Sequence, residues 1–207
     1  MLISMKTKAT VFFEEKMRQI FRDGKTVIDI GGGLRIDPKR NNRFDKNNEW
    51  LLDLIKQVDY RVMDKVAEYS PDIVGDIHEL PFADNSIDVI ICSSVLEHVE
   101  EPQRAVREMY RVLKPGGVCF IDVPFLFYYH PMKGYYHDFY RFTADGIKYM
   151  ARDFSSVELC TGRGAAETVL NLFPFFSKRI GFINFFDRLF KKDTSNQTSN
   201  YLAFCIK

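Results

Sequence analysis

The chain has 207 residues, 46% of them hydrophobic and 28% charged, with a formal net charge of +1. That length suits one domain with a sizeable core, and that composition excludes both a disordered chain and a membrane bundle. Near-neutrality means that long-range attraction to nucleic acid cannot come from global charge and would need a local patch, and no segment reaches the roughly 20 apolar residues of a membrane span. Met1 to Phe21 is interrupted by Lys6, Lys8, Glu14, Glu15, Lys16 and Arg18, so it lacks the apolar centre of a signal peptide. The four cysteines (92, 119, 160 and 205) are far apart with no Cys-x-x-Cys pair. They are expected to be buried, reduced thiols of a cytoplasmic protein.

In chain order, Val11, Phe12, Phe13, Met17, Ile20 and Phe21 recur at helical spacing, and Asp23-Gly24 ends that helix. Thr26 to Ile30 reads as the first strand, running into the turn Gly31-Gly-Gly33. In such a turn Gly31 can take a positive φ, and Gly33 removes a Cβ that would block close approach of a ligand to the backbone. Arg35 to Lys46 is polar, with Pro38 and Asn41-Asn42, and reads as a loop or a lid; a helix follows from Asn48 with Leu51, Leu54, Ile55 and Val58 on one face. Tyr60 to Met63 is a second strand ending at Asp64, and Asp72 to Val74 a short third one reaching Gly75-Asp76. Ser86 to Cys92 reads as a buried central strand, in which Asp88 has a structural role. Pro102 opens a helix with Ala105, Val106, Met109, Val112 and Leu113 on its buried stripe; Lys114-Pro-Gly-Gly117 stops it before a strand at Val118 to Val123. Thr143 is placed to cap a helix through Met150, and Val157 to Cys160 and Tyr201 to Ile206 read as the last strands. Strands alternating with helices imply an α/β, doubly wound, mostly parallel sheet with helices on both faces.

The pieces Val27-Ile-Asp-Ile-Gly-Gly-Gly33, Gly75-Asp-Ile-His-Glu-Leu-Pro-Phe82, Ser86-Ile-Asp-Val-Ile90, Val95-Leu-Glu-His-Val99 and Arg111-Val-Leu-Lys-Pro-Gly-Gly117, in this order, resemble a class I S-adenosylmethionine-dependent methyltransferase of the small-molecule type. The resemblance spans roughly Val27 to Val123 and more weakly the rest. It implies a seven-stranded Rossmann-like sheet in a single domain over 1–207, and S-adenosyl-L-methionine as cofactor. Residue by residue it implies that Gly31 and Gly33 line the methionine and ribose, Asp64 accepts both ribose hydroxyls, and Asp76 accepts from the adenine amine with Ile77 beside the ring. It implies Ser93 at the methionine end, where the substrate enters, with Asp29 orienting the turn or the cofactor's ammonium. Where many members carry a third glycine this chain has Arg35, which either pairs with the methionine carboxylate or obstructs the turn. His98 in the Leu-Glu-His-Val piece either closes the cofactor pocket or serves as a cap or packing residue.

The substrate crevice of an open α/β sheet lies beyond the carboxyl ends of its strands. Pro124 to Thr143 emerges there, dense in aromatics, and its His-Pro followed by Asp-x-Tyr-Arg-Phe-Thr resembles methyltransferases associated with bacterial surface-glycan synthesis. His130, His137 and Asp138 are the candidate catalytic acids and bases, methyl transfer to an alcohol being helped by a general base. A hydrophobic cap with a local Asp138–Arg141 ion pair is the structural alternative. No metal site is expected, because two histidines on an irregular loop lack a recognised ligand spacing. A second unusual stretch, about 165–192, separates the last two strands. Phe182, Phe185, Phe186, Leu189 and Phe190 share a helical face there, flanked by Lys178, Arg179, Arg188, Lys191 and Lys192. A membrane surface, a homodimer interface or a cap over the core are the three coverings open to it. The resulting expectation is a cytoplasmic methyltransferase acting on a small molecule or glycan, at oxygen, with no nucleic-acid partner. The alternatives are a non-catalytic cofactor-binding partner subunit and an NAD(P)-binding oxidoreductase.

Overall fold

The computed structural model describes residues 6–36, 44–172, 187, 189–190, 192 and 195–207. Helix α1 (Lys8–Asp23) starts where the Thr7 hydroxyl accepts the Thr10 N–H at 3.1 Å, and stops where Gly24 donates to the Ile20 carbonyl. Seven strands follow: β1 (Thr26–Ile30), β2 (Asp59–Asp64), β3 (Ile73–Val74), β4 (Ile87–Ser93), β5 (Leu113–Pro124), β6 (Ser156–Thr161) and β7 (Asn200–Ile206). They form one sheet in the order β3-β2-β1-β4-β5-β7-β6. All pairs are parallel except those of β7, which runs antiparallel to both β5 and β6. The order reverses direction between β1 and β4, which opens a crevice at their carboxyl ends.

The remaining helices are α2 (Leu52–Ile55), α3 (Pro102–Val112), α4 (Ala144–Met150) and α5 (Ala165–Asn171). Each face of the sheet has its own core. Met17, Ile20 and Phe21 of α1 pack with Val27, Leu34, Leu51, Phe120 and Phe204 on one side. Ala105, Val106, Met109 and Val112 of α3 pack with Ile90, Cys119, Ile121 and Ile147 on the other. Each of the Val, Leu, Ile, Phe and Met side chains among them contributes about 1.5–3 kcal/mol by leaving water. Among the cysteines, 92, 119 and 205 are buried, and all four are free thiols.

Two expected elements differ. Strand β5 begins at Leu113 and runs through Lys114-Pro-Gly-Gly117, so this step is a bulge within the strand: Ile87 pairs with Leu113, but Val89 already pairs with Val118. The helix expected from Asn48 is a 3-10 turn (Lys46–Leu51) followed by the single α turn α2. Asp45 caps the Asn47 N–H and the Asn48 side chain donates to the Leu34 carbonyl at 2.9 Å, so side-chain bonding competes with a regular helix. Most of the Arg35–Lys46 loop and the residues Phe182, Phe185, Phe186, Lys178, Arg179, Arg188 and Lys191 lie outside the described residues. Within the 165–192 stretch, the buried Asp187 accepts the N–H groups of Ala166 and Glu167 at the start of α5.

Candidate active site

The crevice is built from the carboxyl ends of β1, β2, β4 and β5. The buried Asp29 on β1 holds the glycine turn, its carboxylate accepting the N–H groups of Gly33 (3.1 Å) and Leu34 (3.2 Å) and the Tyr60 hydroxyl (2.6 Å). Of its two expected roles the described contacts support the first. Gly31 has φ +75°, and a Cβ there would lie 2.5 Å from the Val95 side chain. At Gly33 a Cβ would lie 2.5 Å from the Ser93 carbonyl oxygen. Gly33 thus permits a close approach of the turn to the end of β4. Arg35 is exposed and takes φ +49°, so the chain keeps at this position the left-handed backbone that a glycine would favour.

Two acids stand together at the tips of β2 and β3. Asp64, half-buried, accepts the Val66 N–H at 2.9 Å, and its carbonyl accepts the Gly75 N–H at 3.1 Å. The Asp76 carboxylate takes the His78 N–H and ring on one oxygen, and lies 3.1 Å from the exposed Lys65 ammonium on the other. Burial pushes the Asp76 carboxyl up, but the His78 and Lys65 bonds outweigh it and hold the group at about 2. The Ile77 side chain, next to Asp76, packs into the core on the side of Met63 and Leu80. Arg111 fixes this segment from α3, donating to the carbonyls of Leu80 and Phe82 at 3.0 Å while pairing with Glu108 and Asp84.

At the other end Ser93 closes β4, and Ser94 beyond it is exposed with φ +55°. The Ser93 hydroxyl donates to Asp122 on β5 at 3.3 Å, and the Asn200 amide donates to the other Asp122 oxygen at 2.7 Å. Burial pushes the Asp122 carboxyl up to about 6, against the Asn200 and Ser93 bonds and with repulsion from Glu97 adding to it. Glu97, in the 3-10 turn Leu96–His98, is 1% exposed, and its Oε2 has no hydrogen-bond partner among the described residues. His98 and His130 each bring Nε2 to 3.8 Å from Glu97 Oε1. Glu97 raises the His130 pKa, opposed by burial and assisted by Tyr128 and Asp138.

Of the other expected catalytic residues, Asp138 touches this cluster through His130, its Oδ2 lying 3.3 Å from His130 Nδ1, and the His137 side chain lies apart. Asp138 is bound to Arg141 through both oxygens, at 2.5 and 2.7 Å, and also accepts the His130 N–H. Arg141 before all else holds its carboxyl at about 2, so Asp138 is a fixed anion and a poor proton acceptor near neutrality. The His137 side chain is exposed beside Phe139; only its carbonyl reaches the cluster, accepting from His98 Nδ1 at 2.6 Å. Of the three candidate acids and bases, His130 stands beside Glu97 while Asp138 and the His137 side chain do not; Glu97, Asp122 and Asn200 join the site although the sequence does not single them out. Asp122 follows an apolar run on the strand next to Ser93, the one sequence cue that pointed to it; Asn200 gave none.

Residues 28–121 match the family described as a methyltransferase domain. A ubiquinone/menaquinone biosynthesis C-methyltransferase, UbiE, from Neisseria meningitidis serogroup C is 32% identical over 145 residues, covering 66% of this chain and 58% of that protein. The Vibrio campbellii protein of the same name is 36% identical over 105 residues, covering 46% of this chain and 40% of that one. A chloroplastic 2-methyl-6-phytyl-1,4-hydroquinone methyltransferase from rice is 34% identical over 108 residues, covering 51% and 33%. The chain thus spans between a third and three fifths of the length of these relatives. Among solved structures, a SAM-dependent methyltransferase from Archaeoglobus fulgidus superposes with a TM-score of 0.60 at 15% identity, covering 95% of this chain and 94% of that one. The [4+2]-cyclase SpnF gives 0.54 at 16%, covering 99% and 84%, so the fold alone does not set the reaction. Residues 28–121 are thus similar to a methyltransferase domain, the whole chain takes a Rossmann-like methyltransferase fold, and S-adenosyl-L-methionine is the cofactor that this likeness implies. The site's chemistry fits it: the cofactor offers hydroxyl and amine donors and no phosphate, and the crevice presents the carboxylates of Asp64 and Asp76 on one edge.

Proposed function

We propose that the chain transfers a methyl group from S-adenosyl-L-methionine to a hydroxyl oxygen of a ring-bearing small molecule, a sugar of a glycan or a polyhydroxylated ring. The observation that carries this reading is Asp122, a carboxyl raised to about 6 and hydrogen-bonded to Ser93 at the acceptor edge of β4. A carboxylate with a pKa near the working pH is suited to accept the proton an alcohol must shed as its oxygen attacks. The cofactor, when bound, supplies a methyl group made electrophilic by its sulfonium. Asp64 holds the ribose diol, Asp76 turns its Lys65-paired oxygen to the adenine amine, and Arg35 pairs with the methionine carboxylate. The glycine turn, kept in shape by Asp29, brings the methyl end up to Ser93. Tyr128 stacks on Phe127 with ring centroids 4.3 Å apart, and Tyr136 lies 4.3 Å from His98, so an aromatic wall faces the same edge. This reading places the chain in the cytoplasm; among the described residues no helix is long and apolar enough to cross a membrane.

The names of the quinone-methylating relatives favour a second reading, methylation at carbon of a hydroxylated aromatic ring. That reaction also needs a proton acceptor for the ring hydroxyl. Incubation with S-adenosylmethionine carrying a 13C methyl, against nucleotide sugars, lipid-linked sugars and quinols, separates the readings by whether the product signal is a methoxy or a C-methyl carbon. Turnover of a sugar acceptor with a methoxy product is the expected result. A C-methyl product would establish the second reading, and no turnover with any class would leave a cofactor-binding subunit.

A further inference from the structure

Glu97, His98 and His130 converge in a way that hydrogen bonding within the chain leaves incomplete. His98 Nδ1 lies 2.6 Å from the His137 carbonyl, and His130 Nδ1 lies 3.0 Å from the Tyr128 carbonyl. A carbonyl oxygen, which only accepts, is thus the nearest partner of each Nδ1, with Asp138 Oδ2 at 3.3 Å and Arg141 at 3.5 Å also beside that of His130, so Nε2 is the ring nitrogen that each histidine turns to Glu97. Both Nε2 atoms face Glu97 Oε1 at 3.8 Å, an ion-pair separation longer than a hydrogen bond. Arg141 and His130 act on Glu97 electrostatically, but its Oε2, on a side chain 1% exposed, has no hydrogen-bond partner among the described residues. A buried carboxylate oxygen left so is costly unless a further donor or a cation meets it.

We infer that Glu97, His98 and His130 form a binding site for a divalent transition-metal cation of the zinc class. Their ligand atoms lie within 4.8 Å of one another. Tetrahedral coordination with bonds of about 2.0–2.1 Å brings ligand atoms to about 3.3 Å, so inward movement by roughly half an ångström completes the set. Two imidazoles and one carboxylate suit zinc, iron or nickel better than calcium or magnesium. The backbone carbonyls of His137 and Tyr128 fix the ring orientation, as the outer partners of metal-bound histidines do. Three protein ligands leave a coordination position open. At the edge described above, a bound cation would act as a Lewis acid toward the acceptor oxygen, and Asp122 would take its O–H proton as the oxygen–carbon bond formed and the carbon–sulfur bond broke with its electron pair going to sulfur. That role rests on the methyl-transfer reading; the metal site does not.

The test is titration of the chelator-treated full chain with Zn2+ in calorimetry, and with Co2+ followed by visible absorption, both without methyl donor. One equivalent of Zn2+ and ligand-field bands for Co2+ are expected. Glu97→Gln and His130→Gln are each expected to weaken Zn2+ at least 100-fold, the upper end of what even outer-partner losses cause. His137→Gln, whose side chain lies outside the cluster, is expected to keep wild-type affinity. If Glu97→Gln fails to fold, the half-exposed His130 carries the test. Absence of saturable binding by the wild type, or unchanged affinity in His130→Gln, would overturn the site. Methyl transfer is measured separately, so a metal result of either kind leaves the cofactor reading independently judged.

Discussion

Asp122→Asn isolates the group on which the acceptor chemistry turns. The folded-state pKa of Asp122 stands at about 6 against an ordinary 3.8. That gap corresponds to about 3 kcal/mol, at 1.36 kcal/mol per tenfold change in proton affinity. The sign follows from linkage. A carboxyl raised on folding holds its proton in the native state where the unfolded state has lost it. The native state is therefore favoured by this group below about pH 4, and that contribution is lost as the pH rises through about 6. Above that range the wild type carries the buried charge. An asparagine carries none; its oxygen still accepts from Asn200, and its amide can donate to Ser93, whose hydroxyl is free to turn. The variant should therefore gain about 3 kcal/mol of stability relative to wild type between pH 4 and pH 7.5. Urea denaturation of both proteins at pH 4, 5, 6 and 7.5 measures that difference, and groups common to both cancel. Methyl transfer should fall with Asp122→Asn even as stability rises, the exchange expected where a strained group serves a reaction. A stability difference that is flat with pH, or that favours the wild type at pH 7.5, would refute the burial of charge at Asp122.

The remaining predictions concern the cofactor edge. Asp64→Ala should weaken S-adenosylmethionine binding by about 1.5–3 kcal/mol in calorimetry, the range for a hydrogen bond to a charged group, and unchanged affinity would remove Asp64 from the ribose. Arg35→Gly should raise folding stability by about 1 kcal/mol by relieving the left-handed backbone. The same variant should bind S-adenosylmethionine more weakly while binding methylthioadenosine, which has no carboxylate, as before; equal losses for both ligands would point to the loop. Gly33→Ala should destabilise by about 1–3 kcal/mol, because its Cβ would press on the Ser93 carbonyl, and a fully stable variant would contradict the close approach of the turn to β4.

The order of strands and helices was legible in the sequence because the central strands, such as Ile87 to Ser93, are buried on both faces and read as continuous apolar runs. Helix α4 was legible through its Thr143 cap, which accepts the Gly146 N–H at 3.1 Å. The bulge at Lys114-Pro-Gly-Gly117 was not, because a Pro-Gly step reads as an interruption whether the chain leaves the sheet or only shifts register within it. The cofactor edge was legible from motifs whose spacing follows the chain. Ser93 was legible from its place at the end of β4, but its meeting with Asp122 and Asn200 was not, because the three come from separate strands and meet only through sheet pairing. The same holds for Glu97 and His130, 33 positions apart by their numbering and brought together by the loop that Asp138 and Arg141 pin. The sequence reading sought a base within that loop, whereas the loop's Asp138–Arg141 pair serves to hold His130 in place.

The most direct measurement is calorimetric binding of S-adenosylhomocysteine to the wild-type chain and to Asp64→Ala, alongside NAD. Saturable binding of S-adenosylhomocysteine at one site, weakened at least tenfold by Asp64→Ala and unmatched by NAD, is the predicted result. Binding of NAD with no binding of S-adenosylhomocysteine would contradict the assignment of the crevice to the methyl donor.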